Sequence, residues 1–395
     1  MAHPVVPGFR WSGIRAGIKS NGKPDLGLIV ADGPVSAAAV FTRNVVRAAP
    51  VEVASERVRG GRIGAVLVNS GNANACTGGP GHRACLRTTK AVAKALQLDE
   101  RHVFPASTGV IGHLLPADRI VEHVPALVRA ASPEGLGDFS RAILTTDKGP
   151  KVAVARFGKG ASRVTVVAVA KGAGMIHPDM ATTLGFVATD ASISHSLLGR
   201  MLRGAVDETF NSLSVDGDTS TNDTIVALAS GEAGGTVGAR SERARSFASA
   251  LVDVLGEVGA MIVADGEGAE HAVRIEVIGA PSDAAATKVA STVAGSLLVK
   301  TALYGKDPNW GRLLAAAGRA GVPFDPARAG IRVGGVPLVR RGLGLGAASE
   351  ARVAKVMRRG TYTIEIDLGA GKGRGHYLTC DVGHGYVNVN ADYRT

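Results

Sequence analysis

Residues 163–189 read RVTVVAVAKGAGMIHPDMATTLGFVAT, and the fold turns on how that stretch is interpreted. Arg163 to Ala170 is an apolar, β-branched run that predicts a buried strand, and Leu184 to Thr189 predicts another. Between them runs a glycine-rich loop, interrupted by Pro178. Gly172 and Gly174 allow backbone geometry closed to other residues. Lys171 sets a cation at the loop's entry, and a threonine hydroxyl stands where the second strand begins, which would hold it rigidly.

Further out, the same alternation of elements continues. Ile63 to Asn69 (IGAVLVN) predicts a buried strand running into the loop Ser70-Gly71-Asn72. Helical spacing of Ala84, Leu86, Ala91, Val92, Ala95 and Leu96 predicts a helix over Arg83 to Gln97. Leu197, Leu198, Met201, Leu202, Ala205 and Val206 mark an amphipathic helix, and Phe247 to Val263 repeats the pattern. Arg274 to Ile278, Tyr362 to Asp367, Tyr377 to Asp381 and Tyr386 to Asn390 predict strands. Helices and strands alternate without the glycine-rich first turn of a dinucleotide fold, which predicts an α/β protein built as a layered sandwich rather than a Rossmann sheet. Gly369 to Gly375 (GAGKGRG) has the residue types of a phosphate loop, but it lacks GxxxxGK[ST] and lies between strands, so it predicts a hairpin.

Composition narrows the partners. Of 395 residues, 45% are hydrophobic and 20% charged, ordinary values for a globular chain, while 4% aromatics leave the core to Ala, Val, Leu and Ile. The net charge is +11, all of it carried by residues 1–181. Those basic residues are dispersed, without a run of five or interleaved aromatics. They predict a solvated basic surface or a site for small acidic ligands rather than nucleic-acid binding. No uninterrupted apolar run approaches the ~18 residues of a membrane span, and Met1 to Gly13 has no apolar core of a secretory signal. Cys76, Cys85 and Cys380 are too few and too scattered for a disulfide framework or a zinc site. The expectation is a soluble, cytoplasmic protein.

A threonine hydroxyl is a weak nucleophile and needs a base within hydrogen-bond reach. No Ser-His-Asp pattern supplies one. The economical solution is the threonine's own α-amine, freed by cutting the Ala181–Thr182 bond: the Thr182 hydroxyl attacks the Ala181 carbonyl, the acyl group shifts from N to O, and water opens the ester. A nearby Lys171 would push that amine toward its neutral form. His177 is an alternative base, and a structural strand connection is the alternative to catalysis. Asp216, Asp218 and Asp223 do not have the spacing of a calcium loop and read as structural or supporting residues.

Separated segments then bear a wider resemblance: Val68-Asn-Ser-Gly-Asn-Ala-Asn-Ala-Cys-Thr-Gly, Ala106-Ser-Thr-Gly-Val-Ile-Gly112, Leu144-Thr-Thr-Asp, Phe210-Asn-Ser-Leu-Ser-Val-Asp-Gly-Asp-Thr-Ser-Thr-Asn-Asp223, Asp265-Gly-Glu-Gly-Ala, Asp307-Pro-Asn-Trp-Gly-Arg312 and Asn390-Ala-Asp-Tyr-Arg-Thr395. Together with KGAGM and MAT, in this order over nearly the whole length, the chain resembles the bacterial ornithine acetyltransferases, the glutamate N-acetyltransferases of the ArgJ type.

The resemblance implies the self-cleaving αββα fold of that family and the related DmpA-like enzymes. It implies a cut at Ala181/Thr182 into an α chain (1–181) and a β chain (182–395), and it selects Thr182 over Thr183 as nucleophile. It implies an oxyanion hole at Thr108 and Gly109, where fixed donors lower the barrier. It also implies substrate contacts at Thr145 or Thr146, Lys171, Glu267, Asn390 and Thr395. Lys171 would pair with a carboxylate and Glu267 with an ammonium group. The implied reaction moves acetyl from N2-acetyl-L-ornithine to L-glutamate in ping-pong fashion through an ester on Thr182, with no cofactor, in an assembly of two α and two β chains. Acetyl-CoA as a second donor, and a hydrolase of related fold that delivers the acyl group to water, are the alternatives. Two departures stand out: Glu270-His271 replace a usual Thr-Lys pair, and Lys148-Gly149 replace a usual Thr-X pair.

Overall fold

The structure is a computed structural model that describes residues 4–177 and 183–392. Ala181, Thr182 and Thr395 therefore lie outside the described residues. In chain order the strands are β1 (Phe9–Ile14), β2 (Leu26–Phe41), β3 (Arg62–Asn72), β4 (Val103–Val110), β5 (Lys151–Phe157), β6 (Val164–Lys171), β7 (Leu184–Thr189), β8 (Leu213–Ser214), β9 (Thr224–Ala229), β10 (Ala272–Ala280), β11 (Gly330–Val333), β12 (Val336–Arg340), β13 (Leu343–Gly344), β14 (Thr361–Asp367) and β15 (Gly373–Cys380). The helices are α1 (Ala49–Arg57), α2 (Gly78–Leu96), α3 (Ala117–Arg129), α4 (Leu136–Ala142), α5 (His195–Glu208), α6 (Glu242–Ala264), α7 (Asp283–Ala294), α8 (Leu297–Tyr304), α9 (Trp310–Gly318), α10 (Ala347–Met357) and α11 (His384–Asp392).

The first sheet runs β4-β3-β2-β9-β7-β6-β5, with β1 also paired to β2. Its hinge is β2, whose first half pairs with β1 and β3 and whose second half pairs with β9. Between Val30 and Val35 its register to β3 shifts, and such bulges bend a strand. The sheet thereby folds over on itself. Between its two halves lies a core of Trp11, Ile29, Val66, Val68 and Phe104 facing Val167, Val169, Phe186, Val226 and Leu228. Phe139 bridges the halves, its ring 5.3 Å from Trp11 and 5.2 Å from Phe186. The opposite side of the first half packs on α2 and α3 through Leu28, Val30, Val92, Ile120 and Leu127. The opposite side of the second half packs on α5 and α6 through Val166, Ala168, Ile225, Leu202 and Leu251. This is the expected αββα sandwich, its two β layers made from one bent sheet. β6, β7 and β9 are buried along their whole length because both faces are covered.

The second sheet, β13-β12-β11-β14-β10-β15-β8, has its own core with α7, α8, α9 and α10. Its last pairing, β15 with the two-residue β8, ties it to the segment before residue 216. α6 is long and apolar enough to cross a membrane by length and composition. Here its apolar face, Phe247, Leu251, Leu255, Val258 and Ile262 among it, is spent on the core against β5 and β6.

Two sequence expectations need correction. Tyr386 to Asn390 is helical, part of α11. Its Tyr-Val-Asn-Val alternation suits a strand, but contacts override propensity: Gly268 (φ 68°) approaches the helix so closely that a Cβ there would lie 2.1 Å from Tyr386 N. The Asn390 amide also donates back to the Tyr386 carbonyl at 3.1 Å. The GAGKGRG segment is not a hairpin turn, because β14 and β15 do not pair with each other; β10 lies between them, parallel to β14 and antiparallel to β15. Nothing in the local residue pattern specifies that a third, distant strand is inserted there.

Candidate functional site

β6 and β7 pair antiparallel with Lys171 opposite Leu184, so the glycine-rich loop is held at one end of the two central strands. Its described part is pinned from behind. Asp216 accepts the N–H groups of Met175 (2.5 Å) and Ile176 (2.7 Å), and the Ile176 carbonyl accepts Val215 N–H (2.9 Å) and the Ser214 hydroxyl (2.8 Å). Burial raises the Asp216 carboxyl above its ordinary range against the pull of those N–H groups. Gly174 packs on the Glu267 carboxylate, where a Cβ would stand 2.3 Å from its Oε2, and Glu267 N–H donates to the Ala173 carbonyl at 2.9 Å.

At the end of β4, Gly109 has φ 129°, and a Cβ would meet Gly71 C at 2.3 Å, so only glycine fits. The turn is braced by an asparagine network from the NSGNAN segment. Asn69 donates to the Asn72 carbonyl (2.8 Å) and accepts from Ser107 (2.6 Å). Asn72 accepts Asn74 N–H (2.8 Å), and Asn222 donates to the carbonyls of Ala73 (2.7 Å) and Ser107 (2.9 Å). Buried amides with every partner in place make a rigid support.

Thr108, Gly109, Thr145, Thr146, Lys171, Glu267 and Asn390 all line one cavity of about 200 Å³, closed by Met175, Asp216, Asn222 and Tyr386. Every described residue that the resemblance marks for the site is thus brought together, from positions up to 282 apart along the chain, and Thr145 and Thr146 both reach it. Lys171 Nζ donates to Thr108 Oγ1 at 3.3 Å, which leaves the threonine's own O–H proton to be donated elsewhere. Asn390 donates to Glu267 Oε2 at 3.0 Å. Burial pushes the Lys171 ammonium below its ordinary range, opposed most by Asp147. Asp147 accepts Lys151 Nζ (2.7 Å), Gly172 N–H (2.7 Å) and Thr145 N–H (2.9 Å). Although burial pushes the Asp147 carboxyl up, the charges of Lys171 and Lys151 hold it well below the carboxylate range. Lys151 also reaches Asp265 Oδ2 at 2.5 Å, so a buried ion-pair clasp joins the 145–151 segment to the end of α6.

His177 does not line this cavity. Neither do the two departures. Glu270 pairs with Lys306 at the surface (3.0 Å), and buried His271 makes a 3.0 Å contact from Nδ1 to Asp381 Oδ2. Lys148 contributes its backbone N–H to Asp265 (3.0 Å). Sequence reasoning did not single out Tyr386, Met175, Asn222 or the clasp, although Asp147, Asn222 and Asp265 all lie inside the quoted segments.

A bent α/β sandwich that gathers hydroxyls, one ammonium and carboxylates around a cavity of amino-acid size defines an enzyme acting on a small polar substrate. The sequence profile of the ArgJ family matches residues 10–395. The arginine biosynthesis bifunctional protein ArgJ of Syntrophotalea carbinolica is 48% identical over 391 residues, covering 99% of both chains. That of Geobacter sulfurreducens is 46% identical over 391 residues, covering 99% of this chain and 100% of its own. The crystal structure of the arginine biosynthesis bifunctional protein argJ from Bacillus halodurans is 38% identical, with a TM-score of 0.52, covering 54% of this chain and 100% of that one. The chain belongs to the ArgJ family, the acyltransferases of arginine biosynthesis.

Proposed function

We propose that this protein cuts itself between Ala181 and Thr182 and then carries acetyl from N2-acetyl-L-ornithine to L-glutamate through an ester on Thr182. The observation that carries the reading is the convergence of Thr108, Gly109, Thr145, Lys171, Glu267 and Asn390 on one cavity, beside the strand ends that flank residue 182. The solved relative's whole chain corresponds to 54% of this one, the share that residues 182–395 make up, which supports a processed product of that length.

In this scheme the Thr182 hydroxyl attacks the acetyl carbonyl of the donor while its own α-amine takes the proton. Thr108 O–H and Gly109 N–H stabilise the oxyanion. The amine returns the proton to the leaving ornithine nitrogen, and acetyl-Thr182 remains. Glutamate enters the same cavity, its amine attacks the ester, and N-acetyl-L-glutamate leaves. Lys171 receives the α-carboxylate in both half-reactions, and Glu267 with Asn390 receives an ammonium or amide group. Thr395 is a further substrate contact in this scheme. The α and β chains assemble as a heterotetramer in the cytoplasm, where the three free cysteines are kept reduced.

The curated relatives are named bifunctional, which favours a second reading in which acetyl-CoA also supplies the acetyl group. Denaturing mass spectrometry tests both. The expected result is two chains meeting at 181/182, with the second gaining one acetyl mass from acetylornithine and, on the second reading, from acetyl-CoA as well. An active preparation consisting of one intact chain would overturn the scheme.

A further inference from the structure

Asp223 is a buried carboxyl that the scheme above does not use. Asp223 immediately precedes β9, next to the start of β7: Leu184 pairs with Thr224, and Thr224 N–H donates to the Thr183 carbonyl at 3.0 Å. Asp223 is 1% exposed, and among the described residues the N–H groups of Thr183 and Ser220 and the Ser220 hydroxyl approach its carboxyl, none of them in full hydrogen-bond geometry. Thr183 Oγ1, on a residue 2% exposed, has no hydrogen-bond partner among the described residues. Both line a niche of about 10 Å³ together with Lys171, Thr108, Ser220 and Asn222, room for about one water.

A buried carboxyl whose hydrogen bonds are this poorly formed is costly, and a charge of opposite sign across a small gap is the usual compensation. Lys171 is the cation lining this niche. The other groups that bear on Lys171 are already engaged or repel it. Asp147 is held by Lys151, Gly172 and Thr145, Glu267 is held by Asn390, and Lys151 and Lys19 are like charges.

On the reading that Lys171 receives the substrate carboxylate, we propose that Asp223 is a positioning residue, the counter-group that holds the Lys171 ammonium across the niche against the Thr108 hydroxyl. Burial pushes the Asp223 carboxyl well above the ordinary range, offset by the N–H groups of Thr183 and Ser220, by the charge of Lys171 and by the Ser220 hydroxyl. Burial likewise pushes Lys171 down, offset by Asp147, Glu267 and Asp223 and reinforced by Lys151. The two groups titrate as one system. Removing the carboxyl removes an attraction that keeps Lys171 protonated, so Lys171 loses its proton at lower pH.

The test is Asp223→Asn in the full protein, with lysines labelled with ¹³C at the ε carbon and the Lys171 resonance assigned by its loss in Lys171→Met. The expected result is a Lys171 midpoint shifted to lower pH by roughly one unit, the lower end for a neighbouring charge. The alkaline limb of kcat/KM should move with it, and Asp223→Glu should restore both. An unchanged midpoint in Asp223→Asn overturns the proposal. Should that variant fail to fold, the reciprocal measurement decides. With ¹³C-labelled aspartate, the Asp223 carboxyl must titrate at higher pH in Lys171→Met than in the unaltered protein, and no change there also overturns it. These titrations need no turnover, so a missing acetyl adduct on Thr182 would count against the acetyl-transfer scheme without deciding the Asp223 result.

Discussion

Lys171 and Lys300 are both buried, and burial pushes both ammonium groups below their ordinary range. Their surroundings differ. Lys171 ends a central strand, faces Asp147, Glu267 and Asp223, and opens into a cavity. Lys300, on α8, donates to the Thr379 hydroxyl at 2.7 Å and to the Cys380 carbonyl, and it lines none of the cavities described above. It pins the end of β15, the strand that pairs with β8 and so steadies the Asp216 segment. Burial of a cation alone therefore does not mark a reactive site. Open space beside it does: the charges of Asp216 and Asp381 bear on Lys300 too, but it is spent on fixed neutral acceptors away from these cavities, whereas Lys171 opens into one and can re-pair with a substrate.

The comparison can be broken or sharpened by substitution. The largest effect is expected at the centre it serves: Thr182→Ala should leave one uncut chain of 40.2 kDa and no transfer, seen by denaturing mass spectrometry and an ornithine-release assay. Normal cutting would detach Lys171 from any role at that residue. Thr108→Ala, which removes the hydroxyl that Lys171 orients, should slow acetylation roughly 10²–10³-fold in single-turnover kinetics while the chain stays folded. Lys171→Met should lower kcat/KM roughly 10–100-fold, mainly through KM, as a charge-assisted contact worth about 1.5–3 kcal/mol is lost. Lys300→Met should leave kcat within about twofold and cost about 1–3 kcal/mol of stability, read as a lower denaturant midpoint, because the Cys380 carbonyl loses its buried donor. A catalytic defect in Lys300→Met with unchanged stability would erase the distinction.

How legible each part was follows from the range of the forces that shape it. β6 and β7 were readable because their apolar runs are local and fully buried on both faces, and α5 and α6 because their periodicity is local too. Tyr386 to Asn390 misled because its alternation is that of a strand, while Gly268 and Glu267, more than a hundred residues earlier, hold it as a helix. His271 could be noticed as a departure from a family pattern, but its buried contact with Asp381 depends on β10 and β15 lying side by side.

The sequence by itself determined the chemistry on offer: a glycine-rich loop with Lys171 at one end and threonines at the other, an SerThrGly turn, and the residue types of an acyl-transfer site. It also determined the alternation of elements that leads to a layered α/β sandwich. The tertiary structure alone decided that β2 bends one sheet into two layers and that β10 separates β14 from β15. It alone decided that Asp147, Asp223 and Glu267 surround a single ammonium. Periodicity and turn residues act over a few positions and are written in neighbouring letters, whereas strand order and buried charge partners are settled by which distant surfaces exclude water together.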